Sequence, residues 1–151
     1  MLLTELLSID RVKIPLEATT KDELLRELVA LVTGTQNSGM QEEVLRAVVA
    51  REAVLSTGIG YGVAIPHGKS PGVRDLVMAA GRARVPIEYD ALDGQPVQLF
   101  FLLIGPEAAA GPHIKALSRI SRIVRRDDVR ARLTTAPDPG SFLRALEDAE
   151  A

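Results

Sequence analysis

The chain carries two histidines, His67 and His113, and the first stands in the stretch Arg51-Glu52-Ala53-Val54-Leu55-Ser56-Thr57-Gly58-Ile59-Gly60-Tyr61-Gly62-Val63-Ala64-Ile65-Pro66-His67-Gly68-Lys69. A neutral imidazole is a competent nucleophile near pH 7. It can hold a phosphoryl group covalently if its other ring nitrogen is oriented by a hydrogen bond. The small residues of the preceding run let backbone N–H groups approach an anion, which suits a phosphate. His67 is therefore the candidate nucleophile; the plainer alternative is a loop histidine bonded only to backbone. His113 follows Gly111-Pro112 at the expected start of a helix, where free N–H groups favour an anion, so it is either a donor to phosphoryl oxygens or a simple helix-start residue. Arg51 offers planar donors for phosphoryl charge, each charge-assisted hydrogen bond being worth roughly 1.5–3 kcal/mol, or else is a solvated helix-end cation.

Two nucleotide motifs lie across the same segment, and both fail on spacing. Gly58, Gly60 and Gly62 resemble a dinucleotide fingerprint, but the third glycine comes one residue early and an extended, Pro-containing segment follows where a helix should open. Gly68-Lys69-Ser70 looks like the end of a phosphate-binding P-loop. Five residues separate it from Gly62 instead of four, however, and Pro71 interrupts the required helix. Two histidines without a third ligand make a poor metal site.

The elements that must position these residues are read from hydrophobic period. Leu2 to Leu7 suits a short helix and Val12 to Ile14 a short strand ending at Pro15. Thr20 and Glu23 form a capping box before Leu24, Leu25, Leu28, Val29, Leu31 and Val32, which keep helical period until Gly34. After a turn at Thr35 to Gly39, a second helix is expected with Val44, Leu45, Val48 and Val49 buried and Arg51 at or just beyond its last turn. Ser56 to Gly72 is too rich in glycine and proline for helix, and only Val63-Ala64-Ile65 reads as extended. Leu76 to Val85 and Val97 to Ile104 are the best strands, joined through an Asp93-Gly94 turn; the second is almost wholly apolar and expected to be central. A helix opening at Pro112 carries Ile114, Leu117, Ile120 and Val124, a short one starts at Asp127-Asp128, and a last one runs from a Ser141 cap to Leu146.

Composition narrows the function further. A chain of 151 residues fits one domain, which buries roughly 68–70% of its unfolded surface, and no repeat or linker divides it. With no cysteine, thiolate nucleophiles, disulfides and iron–sulfur clusters are excluded, and a cytoplasmic location is expected. Only 3 Phe and 2 Tyr are available, too few for a nucleic-acid stacking platform, and the net charge of −2 has the wrong sign for a general phosphate-backbone binder. Arg119, Arg122, Arg125, Arg126, Arg130 and Arg132 form a basic stretch interrupted by Asp127 and Asp128, which reads as a solvated face or a protein docking surface. No segment is apolar enough for membrane insertion, the longest uninterrupted apolar run being Leu99 to Ile104.

The order of Arg51, the TGIGYGVAIPHGK loop and Pro112-His113-Ile114 resembles the enzyme IIA domain of the bacterial phosphoenolpyruvate:sugar phosphotransferase system, fructose/mannitol class. In that family an arginine stands 16 residues before the phosphorylated histidine and a second active-site histidine lies well downstream, here 46 residues after His67. The likeness runs over nearly the whole chain. The stretch from Pro86 to Val97 looks most like the nitrogen-regulatory (PtsN-type) branch. The resemblance implies an α/β (α+β) fold, a single domain over residues 1–151 with a mixed β-sheet flanked by helices on both faces. It implies His67 as phospho-acceptor, Arg51 and His113 as stabilisers of the phosphoryl group, and Thr57, Gly58 and Gly60 as phosphate-binding residues. It further implies HPr or its nitrogen-branch equivalent as donor, an EIIB or regulatory protein as a further partner, and no cofactor or metal. One departure, Ile114 where the family usually has Leu, is expected to alter packing only.

Overall fold

The computed structural model describes residues 2–34 and 38–151. Their framework is a six-stranded mixed sheet in the order β1(Val12–Leu16), β5(Val77–Ile87), β6(Val97–Gly105), β3(Val63–Ala64), β2(Gly58–Gly60), with β4(His67–Lys69) pairing β6 beyond β3. β5 and β6 are antiparallel, whereas β1 on β5, and β3 and β4 on β6, are parallel. β6 is buried at every position but Gln98, as its apolar sequence predicts for a strand covered on both faces.

Period-2 alternation along β6 sends its side chains to two different cores. Leu99, Phe101 and Leu103 pack with α1(Leu3–Leu6), α4(Ala110–Val124), α5(Asp127–Thr135) and α6(Pro139–Glu150). Phe100, Leu102 and Ile104 pack with α2(Lys21–Thr33) and α3(Ser38–Val54). Helices thus flank the sheet on both faces, as the resemblance implied. β1 pairs along the edge of β5 and lies so close at Gly81 that a Cβ there would press into the Lys13 carbonyl oxygen and the Leu16 side chain.

Several local expectations shift. β1 continues through Pro15 to Leu16, which the edge position tolerates because only one side of the strand is paired. Thr20 accepts from the Glu23 amide (3.3 Å), while the Glu23 carboxylate takes the Thr19 amide (3.2 Å). The turn expected over Thr35 to Gly39 falls partly outside the described residues; within them, Ser38 and Gly39 already belong to α3. Val49 is 45% exposed, not buried, since it lies off the stripe formed by Val44, Leu45 and Val48. The loop expected from Ser56 to Gly72 holds the three short strands β2, β3 and β4. α4 opens at Ala110, before Pro112, which sits in the first turn where no amide donor is needed. α6 is capped by Asp138, not Ser141, and runs to Glu150; the Asp138 carboxylate accepts the Ser141 amide at 2.7 Å, and Pro139 occupies the first helical position.

Part of the basic stretch is engaged by the fold itself, and part forms exposed ion pairs. The buried Glu150 carboxylate accepts from Arg119 (2.7 Å) and from the Leu3 amide (2.6 Å), tying α6 to α4 and α1. Arg132 pairs with Asp148 and Arg126 with Asp128. Arg130 donates to the Val124 carbonyl (2.7 Å) and lies over the Tyr61 ring.

The close approach at Gly81 yields a stability prediction. Gly81→Ala presses a methyl group into backbone and should lower unfolding free energy by about 1–3 kcal/mol, read from urea denaturation followed by far-UV circular dichroism. A variant as stable as the wild type would show that β1 yields at no cost.

Candidate functional site

Strand register delivers His67 to the carboxyl end of β6. β3 and β4 lie end to end along one side of β6, interrupted by Ile65-Pro66, so that His67 is opposite Leu103 and Lys69 opposite Gly105. The chain leaving β6 passes through a 3-10 turn at Glu107–Ala109 into α4, whose fourth residue is His113. The two imidazoles meet edge to face, with ring centroids 5.5 Å apart. α3 closes a third side. A Cβ on Gly68 would stand only 3.2 Å from backbone atoms of Ala47 and Val48, so glycine there lets the helix lie against β4 and bring Arg51, in its last turn, to the same cavity.

That cavity has a volume of about 370 Å³ and is lined by Ala47, Arg51, His67, Gly68, Lys69, His113, Ile114 and Leu117. His67 Nδ1 lies 2.9 Å from the Ile65 carbonyl oxygen. A carbonyl only accepts, so Nδ1 carries the proton and the neutral ring keeps its lone pair on Nε2. Arg51 spends one donor on the Leu55 carbonyl (2.8 Å). Lys69 makes a 3.6 Å ion pair with Glu107, and both side chains are substantially exposed, so little holds Lys69 away from a ligand. His113 is 3% exposed, and neither of its ring nitrogens has a hydrogen-bond partner among the described residues. Lining the cavity, the ring can offer a donor on one nitrogen and an acceptor on the other to an anion, a hydroxyl or water.

Both rings are held neutral. Burial lowers the His67 pKa below its ordinary 6.5; Arg51 and Lys69 act in the same direction, while the bond to Ile65 and the charge of Glu52 oppose them. Burial likewise pushes His113 down to about 4, helped by His67 and Lys69. The result is a cavity whose cations are the guanidinium and the ammonium, with two uncharged imidazoles between them.

Three residues expected at the phosphate lie elsewhere. Thr57 is buried with its hydroxyl on the Glu52 carboxylate (2.8 and 2.9 Å). Gly58 is required by packing, since a Cβ would fall 2.7 Å from that of Ala91. Gly60 (φ +100°) precedes the Tyr61-Gly62 turn (φ 60° and 73°) of the β2–β3 hairpin. The glycine run thus forms a hairpin, not an anion cradle, because two-residue turns of this hand need positive φ. Nor is Ile114 a packing residue: it is 67% exposed at the cavity lip.

Sequence reasoning also passed over Ala47, Lys69, Leu117 and Glu52. Ala47 lies four residues before Arg51 and Leu117 four after His113, a helical spacing that places each on its partner's face. Among the described residues no three His, Cys, Asp or Glu side chains form a cluster able to hold a metal. No helix among them is long and apolar enough to cross a membrane.

The neutral histidines give the site a pH signature. In the unfolded chain both titrate near 6.5, so below that pH the unfolded state takes up protons that the folded state refuses. Stability should therefore fall as pH drops from 6.5 toward 4. Urea midpoints at pH 7 and 5.5 should differ less for His113→Leu than for the wild type; an equal difference would remove His113 as a source.

Comparison with known proteins places this geometry. Residues 5–149 match the family model for the phosphoenolpyruvate-dependent sugar phosphotransferase system, EIIA 2. The chain is 37% identical over 147 residues to a nitrogen regulatory protein of Bradyrhizobium diazoefficiens, covering 97% of this chain and 95% of that one. It is 35% identical over 143 residues to the fructose-specific EIIABC component of Bacillus subtilis, covering 95% of this chain and 22% of that larger protein. Among solved structures, the nitrogen regulatory protein IIA-Ntr of Neisseria meningitidis superposes with a TM-score of 0.87 at 33% identity, covering 95% of this chain and 98% of that one. The chain belongs to the EIIA type 2 family of the phosphoenolpyruvate-dependent sugar phosphotransferase system, and its relatives include nitrogen regulatory IIA-Ntr proteins.

Proposed function

We propose that this chain is a phosphoryl carrier whose His67 accepts phosphate through Nε2 from a phosphohistidine of an HPr-like carrier protein or its nitrogen-branch equivalent. The supporting observation is the fixed tautomer: the bond from Nδ1 to the Ile65 carbonyl leaves Nε2 unprotonated in a cavity shared with Arg51, Lys69 and the unpaired His113. In the transfer the carrier's P–N bond breaks and the P–Nε2 bond forms, while the ring proton stays on Nδ1 against Ile65. Arg51 and Lys69 neutralise the charge of the phosphoryl oxygens, and His113 donates one hydrogen bond to them. The main role is a regulatory signal in the cytoplasm, in keeping with the nitrogen regulatory relatives matched over nearly their full length. A phosphohistidine adds up to about two negative charges and so changes which partner surfaces fit.

A second reading, passage of the phosphoryl group to an EIIB of a fructose or mannitol transporter, is favoured by the fructose-specific relative. IIA mannitol of Escherichia coli, alike in fold at 17% identity, is itself solved in complex with phosphorylated IIB mannitol. Chase of label from the phosphorylated chain onto a purified fructose-type EIIB separates the two readings.

Incubation with phosphoenolpyruvate, enzyme I and HPr should give an acid-labile label on the wild type and none on His67→Ala; equal labelling of both would refute the assignment. Arg51→Ala should stay folded and accept phosphate about a hundredfold more slowly. His113→Ala should still be labelled but hold or pass on the group poorly. Attack requires free Nε2, so the initial acceptance rate should fall as pH drops through the His67 pKa, which lies below 6.5. A rate that rises on acidification would mean that imidazolium binds the anion and does not attack it.

A further inference from the structure

The carboxylate of Glu52 is only 8% exposed as a residue, lies outside the cavity lining, and is bound on every side by groups from other elements. Both its oxygens lie 3.0 Å from the Thr57 amide, and both accept from the Thr57 hydroxyl at 2.8–2.9 Å. Because that hydroxyl's proton is spent on the carboxylate, the Tyr89 phenol, 3.1 Å away, donates to Thr57 Oγ1. Burial, with the Glu52 charge beside it, pushes the phenol pKa upward and keeps it a donor. Lys21 of α2 reaches Glu52 at 3.4 Å, donates to the Tyr89 carbonyl at 3.1 Å and stands over the Tyr89 ring.

From this cluster a run of hydrogen bonds leads to the reacting ring. The Thr57 carbonyl accepts the Ile65 amide at 3.0 Å, and the Ile65 carbonyl is the group that holds His67 Nδ1 at 2.9 Å. At its other end Glu52 is the next residue to Arg51 in the last turn of α3. One side chain thus links the helix that carries the cation to Thr57, whose carbonyl holds Ile65 beside the strand that carries the imidazole.

We propose that Glu52 is a positioning residue: through Thr57 and Ile65 it fixes the spacing of Arg51 and His67 and so is coupled to the imidazole that attacks. The transfer part of this inference rests on His67 being the phosphoryl acceptor; the coupling to the ring does not. The charged and titratable groups that bear on His67 are Arg51 and Glu52 of α3, Lys69 of β4 and His113 of α4, and of these Glu52 is the one that favours the protonated ring. Removing its charge should therefore lower the His67 pKa further, whereas removing only its hydrogen bonds should not.

The test uses the intact chain and reads the His67 ring by NMR titration before any phosphorylation. Glu52→Gln keeps the size and one acceptor but loses the charge; in the folded variant the His67 pKa should fall and phosphoryl acceptance should slow about tenfold or more. Glu52→Asp, one methylene shorter, keeps the charge and loosens the reach to Thr57, so transfer should slow while the ring titrates near the wild-type value. Thr57→Val, which removes the hydroxyl and keeps the charge, should behave like Glu52→Asp, and it decides the matter should Glu52→Gln not fold. An unshifted His67 titration in folded Glu52→Gln, or wild-type transfer in Thr57→Val, overturns the proposal. A wild type that accepts no phosphate defeats the functional reading instead, and the titrations still judge whether Glu52 governs the ring.

Discussion

Pairing along β6 is the constraint on which the rest of the molecule depends. The strand is hydrogen-bonded on both sides and covered on both faces, so its position is overdetermined, and whatever is registered to it inherits that rigidity. His67 sits opposite Leu103 on β4, and His113 follows on the helix that β6 feeds. Both imidazoles are thus fixed at the carboxyl end of one strand, where parallel α/β architecture places its ligand crevices. The interruption at Ile65-Pro66 matters as much as the pairing. It turns a backbone carbonyl toward Nδ1 and so settles which ring nitrogen is left free.

The electrostatics follow from that placement. The half-buried His67 ring gives up its proton more readily than a free imidazole, and the neighbouring guanidinium and ammonium reinforce the effect. The same cations then face any anion that enters. In the proposed transfer the same two charges serve twice: Arg51 and Lys69 disfavour imidazolium before it and would offset phosphoryl charge after it. The buried Glu52 acts in the opposite direction and limits how far the ring's basicity falls.

Much of the fold was legible because the signals were periodic. The apolar run Val97 to Ile104 reads as a central strand, and the capped repeat ending at Gly34 reads as a helix, since each pattern has one geometry that buries it. Spacing and residue type singled out His67, Arg51 and His113, and the structure brings the three to one cavity. The glycine run was misleading. Gly58, Gly60 and Gly62 are equally suited to cradle an anion or to turn a hairpin, and only the pairing of Gly60 with Val63 decides between them. Thr57 was mistaken for a pocket residue because nothing in the sequence shows that Glu52, five residues earlier, would turn inward to take its hydroxyl. Ser141 lost its capping role to Asp138, since both fit the cap preference and differ only in where the helix begins.

His113 shows how an apparent defect fits the chemistry. Neither nitrogen of this ring has a hydrogen-bond partner among the described residues, whereas His67 has its Nδ1 on the Ile65 carbonyl. A carbonyl partner would fix the tautomer but would also satisfy the donor permanently. With its pKa pushed down to about 4 the ring stays neutral near pH 7, so in the proposed transfer it would bring one N–H and one lone pair without adding charge that holds the phosphoryl group too tightly to pass on. A ring that no backbone carbonyl claims can set its tautomer by the oxygen atoms the cavity receives, so its donor serves whatever is bound there.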